Sequence, residues 1–124
     1  MTKPPRFKLS RAQRLRGLGD YDRVFARRCA AHASAMGLYI DINDCGFPRL
    51  GVRISKRFGG AVQRVRARRV MKEAFRLSQH ALEPLDYIVV LRSTELSVAE
   101  STRLLLELAT RARRKLDRAM QQPQ

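Results

Sequence analysis

Acidic residues are scarce in this chain: Asp and Glu number 11 against 26 Lys and Arg, in 124 residues. The few acids are scattered and mostly stand beside bases, so the chain lacks the clustered carboxylates that protein-based, metal-dependent phosphodiester cleavage requires. Histidine is scarcer still. His32 and His80 are solitary, which leaves little for acid–base cleavage of RNA. The two cysteines, Cys29 and Cys45, form no C-x-x-C pair, so neither a zinc knuckle nor a dithiol redox motif is encoded. With no disulfide framework, a reducing cytoplasm is the expected compartment. No apolar run approaches the roughly 20 residues of a membrane span. The basic N-terminus lacks the apolar stretch of a secretory signal. It is Arg-rich and acid-poor, as an organelle transit peptide would be, but residues 7–28 read as part of the fold.

What the chain does have is positive charge, a formal net +15. Its hydrophobic content of 44% is that of a folded protein. One domain is expected at this length: a basic, flexible arm over 1–10, a single domain over 11–120 and a short tail over 121–124. A field of this sign attracts polyanions, with nucleic acid the leading partner class and an anionic membrane surface the second. The bases fall in three zones, residues 1–28, 53–76 and 103–118, and the stretches between them read as sheet.

Periodicity predicts the elements. "GDYDRVFARR" (19–28) reads as a short helix with Asp20 as N-cap and Tyr21, Val24 and Phe25 on one face. "MGLYIDIN" (36–43) alternates, with Leu38, Ile40 and Ile42 against Tyr39, Asp41 and Asn43. "RLGVRISK" (49–56) alternates likewise, and "DCGFP" lies between the two, so an antiparallel hairpin with one buried face is expected. Tyr39 and Arg53 would share its other face. "AAHASA" (30–35) would add an edge strand. "DYIVVLR" (86–92), apolar throughout its middle, reads as a buried central strand, with Pro84 ending the helix before it. "SVAESTRLLLELATRARRKLDRAM" (97–120) is a helix opened by the capping box Ser97–Glu100, with Val98, Leu105, Leu108, Ala112, Leu116 and Ala119 on its apolar face. The bases of its last turns suit either the helix dipole or an RNA contact.

The segment "RISKRFGGAVQRVRARRVMKEAFR" (53–76) carries nine Lys and Arg, one acid, and a set of apolar residues besides. On a helical wheel over 61–77, Arg64, Arg68, Lys72 and Arg76 form one stripe, with Arg69 beside it and Arg66 on its flank. Val70, Met71, Ala74, Phe75 and Leu77 gather opposite. One helix therefore has two duties: its apolar side packs on the sheet and its basic side is presented outward. Like charges four residues apart cost roughly 0.2–0.5 kcal/mol per pair, and a bound polyanion relieves that cost. Gly59 and Gly60, just before the helix, either let a phosphate approach its N-terminus or make the turn. Val65 projects from the basic side, where nothing in this pattern calls for an apolar residue.

These residues resemble the protein subunit of bacterial ribonuclease P, whose signature reads approximately K-x-x-G-x-A-V-x-R-N-R-x-K-R-x-x-R-E-x-F-R. The chain has "KRFGGAVQRVRARRVMKEAFR", with Val65 where the family has Asn. "RLRGLGDYDRVF" (14–25) is similar to the family's R-L-x-x-x-x-D-F-x-x-V-F, and "DYIVVLR" to its later strand. An Asn amide can hydrogen-bond a phosphate or a hydrated metal ion and a Val side chain cannot, so any role of that Asn is not carried over. The resemblance implies a small α/β (α+β) sandwich with a mixed sheet of about four strands. Its order would be α-β-β-β-α-β-α, with a left-handed crossover at the basic helix. It also implies a non-catalytic subunit, inactive alone, that partners ribonuclease P RNA without requiring a protein partner. In that family the RNA, with Mg²⁺ bound mainly by the RNA, removes the 5′ leader of precursor tRNA. By resemblance Lys56, Arg57, Arg64, Arg66, Arg68, Arg69, Lys72 and Arg76 would bind the RNA subunit, and Tyr21, Phe25, Tyr39 and Arg53 would form the leader cleft. Helical and strand parity independently make Tyr21, Phe25 and Tyr39 a stacking platform, although Tyr21 and Phe25 equally suit core packing. A generic ribosomal RNA-binding role fits the charge as well, and only the ordered motifs separate the two. A membrane role is excluded because packing leaves the basic helix no bulky apolar face.

Overall fold

In the computed structural model, which describes residues 10–121, the elements follow the expected order. They are α1 (Gly17–Arg27), β1 (Cys29–His32), β2 (Met36–Ile42), β3 (Arg49–Ile54), α2 (Ala61–Ser78), β4 (Leu85–Leu91) and α3 (Val98–Gln121). Short 3₁₀ turns at Arg11–Gln13 and Lys56–Phe58 precede α1 and α2. The expected arm and tail lie, but for Ser10 and Gln121, outside the described residues.

The four strands form one mixed sheet in the order β1-β2-β4-β3. β4 runs antiparallel to β2 and parallel to β3. The expected hairpin between residues 36–43 and 49–56 is therefore not formed, because β4 lies between them. The reason is burial. Tyr87, Ile88 and Val89 are each at most 2% exposed and face both sides of the sheet, a demand that only a central strand satisfies. β2 and β3, each apolar on one side and mixed on the other, flank it. β1 is the edge strand anticipated at 30–35, paired Ala30 to Tyr39 and His32 to Gly37.

On one face α2 and α3 cover the main core, where Met36, Leu38, Ile40, Met71, Phe75, Leu105, Leu108 and Leu116 are at most 1% exposed. Ring packing of Phe75 on Tyr87, centroids 6.2 Å apart, ties α2 to β4. The Ser97–Glu100 box is present: the Glu100 amide donates to Ser97 Oγ at 3.0 Å and the Ser97 amide to Glu100 Oε1 at 3.3 Å. Two assignments to apolar faces change, since Leu77 and Ala119 are exposed. α2 ends at Ser78, before Pro84 is reached.

On the other face α1 covers only part of the sheet, over a small core of Leu15, Val24 and Ile88. It starts earlier than expected, with Arg16 at the N-cap, so Asp20 sits in the first turn. Its main attachment is ionic. Strand register sets Asp41 of β2 directly opposite Asp86 of β4, and Asp86 opposite Arg49 of β3. Asp41 is thus buried, 3% exposed, and Ile42 lies exposed at the strand end, the reverse of the alternation expected there. Arg49 holds Asp86 through two 2.7 Å hydrogen bonds, Asn43 donates a third at 2.8 Å, and Arg23 of α1 adds a fourth. Arg23 also donates to Asp41 at 2.7 Å, and Arg27 does so at 2.9 Å.

Burial opposes ionisation of Asp86, but the bonds from Arg49, Asn43 and Arg23 outweigh it and hold the carboxyl below the usual aspartate range. A group with a depressed folded pKa contributes stability that is complete above its unfolded pKa, near 3.8, and is lost as pH falls through the folded value. Asp86→Ala leaves Arg49 and Arg23 facing an apolar hole and is expected to cost about 3–5 kcal/mol. Urea unfolding near neutral pH checks this. In the wild type, the contribution of Asp86 should disappear only below about pH 4.

Candidate nucleic-acid interface

Because side chains alternate along a strand, register assembles the open face of the sheet in rows. Ala30, Tyr39, Ile88 and Gly51 form one row and His32, Gly37, Val90 and Arg53 the next. α1, bound through Arg23 and Arg27, packs over the first row and its side chains reach Val90 and Arg53 of the second, where a cleft opens over Val90. Tyr21 and Phe25, one turn apart on α1, lie over it with ring centroids 6.4 Å apart. Phe25 meets Tyr39 edge-on at 4.8 Å. The Arg53 guanidinium rests 5.0 Å from the Tyr21 ring centroid and 5.3 Å from that of Phe25. A Cβ at Gly51 would lie 2.5 Å from Tyr21 Oη, so only glycine lets this ring settle onto the sheet.

The four residues expected to form a cleft are therefore side by side. All three rings are half-buried and pack against Leu15, Val24 and Ile88. Core packing and an exposed aromatic surface, alternatives for Tyr21 and Phe25 in the sequence, coexist in one pair of side chains.

The basic helix borders the same face, and its charge is distributed differently from the wheel. Arg64, Arg68, Lys72 and Arg76 are half-buried rather than turned fully outward. Arg68 and Lys72 line a hollow of about 240 Å³ with Arg14, Arg16 and Tyr21. Arg68 also joins Arg53, Arg57 and Arg92 around a larger one of about 760 Å³ floored by Val90. Burial, with Arg14 and Arg68 nearby, holds the Lys72 ammonium below the usual lysine range. Arg76 pairs with Glu73. Arg66, Arg69 and Lys56 are exposed, and so are Val62 and Val65, at 82% and 53%. Gly59 and Gly60 make the turn into α2: Gly59 has φ 152°, and the Gly60 amide donates to Gln63 Oε1 at 2.7 Å.

Among the described residues no group of three His, Cys, Asp or Glu side chains could hold a metal ion. The two adjacent carboxylates, Asp41 and Asp86, are already bound by arginines. They do not fit a Mg²⁺ site. No helix among the described residues is long and apolar enough to cross a membrane. The basic last turns of α3 have structural partners. Arg113 pairs with Glu83 at 2.9 Å and Asp117 at 3.2 Å, Lys115 donates to the Ala30 carbonyl at 2.7 Å and Arg111 to that of His32 at 3.4 Å.

Two residues of the cleft were not among the sequence candidates. Arg92 was signalled by parity, since it follows Val90 by two. His32 was not, because "AAHASA" has no alternation from which its face could be read.

The ribonuclease P family model matches residues 9–114. The ribonuclease P protein component of Chromohalobacter salexigens is 39% identical over 84 residues, 66% of each chain. That of Blochmanniella pennsylvanica is 32% identical over 101 residues, covering 81% of this chain and 88% of its own. In fold, the chain is similar to the Staphylococcus aureus RNase P protein, with a TM-score of 0.72 at 22% identity over 81% of this chain and 94% of that one. The Thermotoga maritima RNase P protein gives 0.69 at 21%, over 81% and 96%.

Since Val65 is exposed on α2, Val65→Asn is expected to change the unfolding free energy by no more than about 0.5 kcal/mol. Urea titration checks this, and a clearly larger loss would show that the side chain packs against the fold.

Proposed function

The chain belongs to the ribonuclease P protein family, and on that premise we propose that it is the RNA-binding protein component of ribonuclease P in the cytoplasm. It holds the ribonuclease P RNA through α2 and the 5′ leader of precursor tRNA in the cleft. The observation that carries this reading is the aromatic group Tyr21, Phe25 and Tyr39, with Arg53 laid across two of the rings, open on one side and bordered by Arg57, Arg68 and Arg92. Bases stack on such rings irrespective of sequence, and arginines follow the backbone. That combination suits leaders whose sequences differ from one precursor to the next.

Cleavage of the leader requires hydrolysis of one phosphodiester bond. Among the described residues no carboxylates and histidines cluster to perform it, so the reading assigns Mg²⁺ and the reacting groups to the RNA. The chain contributes position. Its cations neutralise phosphates of two RNAs at once and keep the leader extended while the RNA partner acts. Isolating the protein from its native cells and sequencing the co-purifying RNA tests the assignment. One dominant structured RNA is expected. A mixture of ribosomal fragments would favour general ribosomal RNA binding.

Two further outcomes separate the surfaces. Replacing Arg64, Arg66 and Arg68 with Ala should weaken assembly with the RNA and reduce the log–log salt slope by about 0.7–0.9 for each phosphate no longer neutralised. An unchanged slope would show that these arginines are only solvated. Tyr39→Ala should weaken precursor tRNA binding by the assembled enzyme about ten-fold, near the low end of a stacking contribution of about 1–3 kcal/mol. Mature tRNA, which lacks the leader, should bind as before. Equal weakening of both would make Tyr39 structural.

A further inference from the structure

The row of the sheet that contains Arg53 ends at His32, on the far edge. Three inter-strand steps, about 14 Å, separate them. His32 is exposed, its ring edge-on to Tyr39 with centroids 5.5 Å apart, so it extends the series Tyr21, Phe25, Tyr39 to the β1 side. Arg92 reaches it from the end of β4: Nη2 lies 3.0 Å from His32 Nδ1, and Nη1 donates to the Ala33 carbonyl at 3.1 Å. The floor between them is Gly37. A Cβ there would lie 2.5 Å from His32 Nδ1 and 3.1 Å from Arg92 Nη2, so glycine is what allows both side chains to meet.

A guanidinium has no acceptor. Nδ1 therefore accepts from Arg92, the ring is neutral and its proton is on Nε2. The neighbours agree. Burial, then Arg92, Lys115 and Arg111, hold the imidazole below the usual histidine range. Those cations and the Tyr39 hydroxyl-bearing ring are the charged and titratable groups that face it from β4, α3 and β2. Lys115 and Arg111 are also tied to the carbonyls of Ala30 and His32, which keeps their charge beside β1.

We propose that His32 and Arg92 form a phosphodiester subsite at the β1 end of the cleft, gripping the RNA strand that crosses Tyr39. This rests on the reading that the cleft holds the leader of precursor tRNA. In the free protein the two side chains satisfy each other. An arriving phosphate offsets the surrounding positive charge and favours the imidazolium. One proton is then taken from solvent onto Nδ1, and Nδ1–H and the guanidinium both donate to phosphate oxygens in place of their mutual contact. Because binding takes up a proton, precursor tRNA binds more tightly as pH falls through the interval between the free and the bound pKa of His32.

The test measures binding of precursor and mature tRNA to the assembled ribonucleoprotein at about pH 6 and about pH 8, for the wild type, His32→Asn and Tyr39→Ala. Linkage to one proton limits the gain to about ten-fold per pH unit. The wild type should gain about three- to ten-fold for precursor over mature tRNA on acidification, and His32→Asn should lose that gain. Loss of leader-dependent affinity in Tyr39→Ala supports the cleft. If Tyr39→Ala has no such effect, the cleft reading falls. If it does, and His32→Asn keeps the wild-type affinity and pH dependence, the subsite is overturned while the cleft stands. In the free protein, the His32 ring titration followed by NMR should move upward when a short single-stranded oligoribonucleotide is added. A titration that does not move would equally overturn the subsite.

Discussion

The open face of this molecule depends on two buried carboxylates. Register places Asp41 and Asp86 opposite each other on neighbouring strands, an arrangement that repels unless cations intervene. Arg49 satisfies Asp86 from within the sheet, but Arg23 and Arg27 come from α1. The pair therefore requires α1 to lie where it does. The apolar support of α1 is slight, three fully buried side chains with a fringe of aromatic rings. A pair that is costly to bury and costlier to break is better suited to setting a position than to adding stability.

The same ion pairing sorts the charge of the whole chain. Arg23, Arg27 and Arg49 are tied to the buried carboxylates Asp41 and Asp86, and Arg76, Arg103 and Arg113 pair with Glu73, Glu107 and Glu83. Among the described residues, no carboxylate lies within ion-pair distance of Arg53, Arg57, Arg64, Arg66, Arg68, Arg69 or Lys72. With so few acids available, pairing some bases internally leaves the others concentrated along α2 and the cleft. The field is thus focused on the side where aromatic rings are exposed. Half-burial of Arg68 and Lys72 strengthens this, because charges at a hollow's wall are screened less than those in open solvent.

α2 presents two surfaces. Its inner flank, with Arg68 and Lys72, faces hollows shared with α1, β3 and the N-terminal segment. Its outer side exposes Arg66, Arg69, Val62 and Val65. The wheel anticipated one basic stripe opposite one apolar stripe. The buried strip of α2 runs along Ala67, Met71, Ala74, Phe75 and Ser78, and Leu77 lies outside it at 45% exposure. Val65 keeps the outward position that the wheel assigned to it.

Much of this was legible in the sequence. Helical and strand periods are local, so residues 61–77, 97–120 and 86–92 announced their elements, the capping box its helix and the long signature its family. Helical face and strand parity pointed to Tyr21, Phe25 and Tyr39 as a set of rings, whereas their gathering with Arg53 in a cleft was expected only from the family resemblance. Strand order was not legible, since two alternating strands joined by a short loop look alike whether they pair or leave a gap. The choice was made by β4, whose need for burial on both faces is satisfied only between them. Asp41 read as a solvent-facing residue because its partners, Arg23 and Arg27, belong to another element. His32 and Arg92, 60 residues apart in sequence, meet only because β1 and β4 flank Gly37 of β2. Local pattern determined which elements form and which charges and rings they carry. Tertiary packing decided which of them face one another, because that depends on burial and ion pairing between segments distant along the chain.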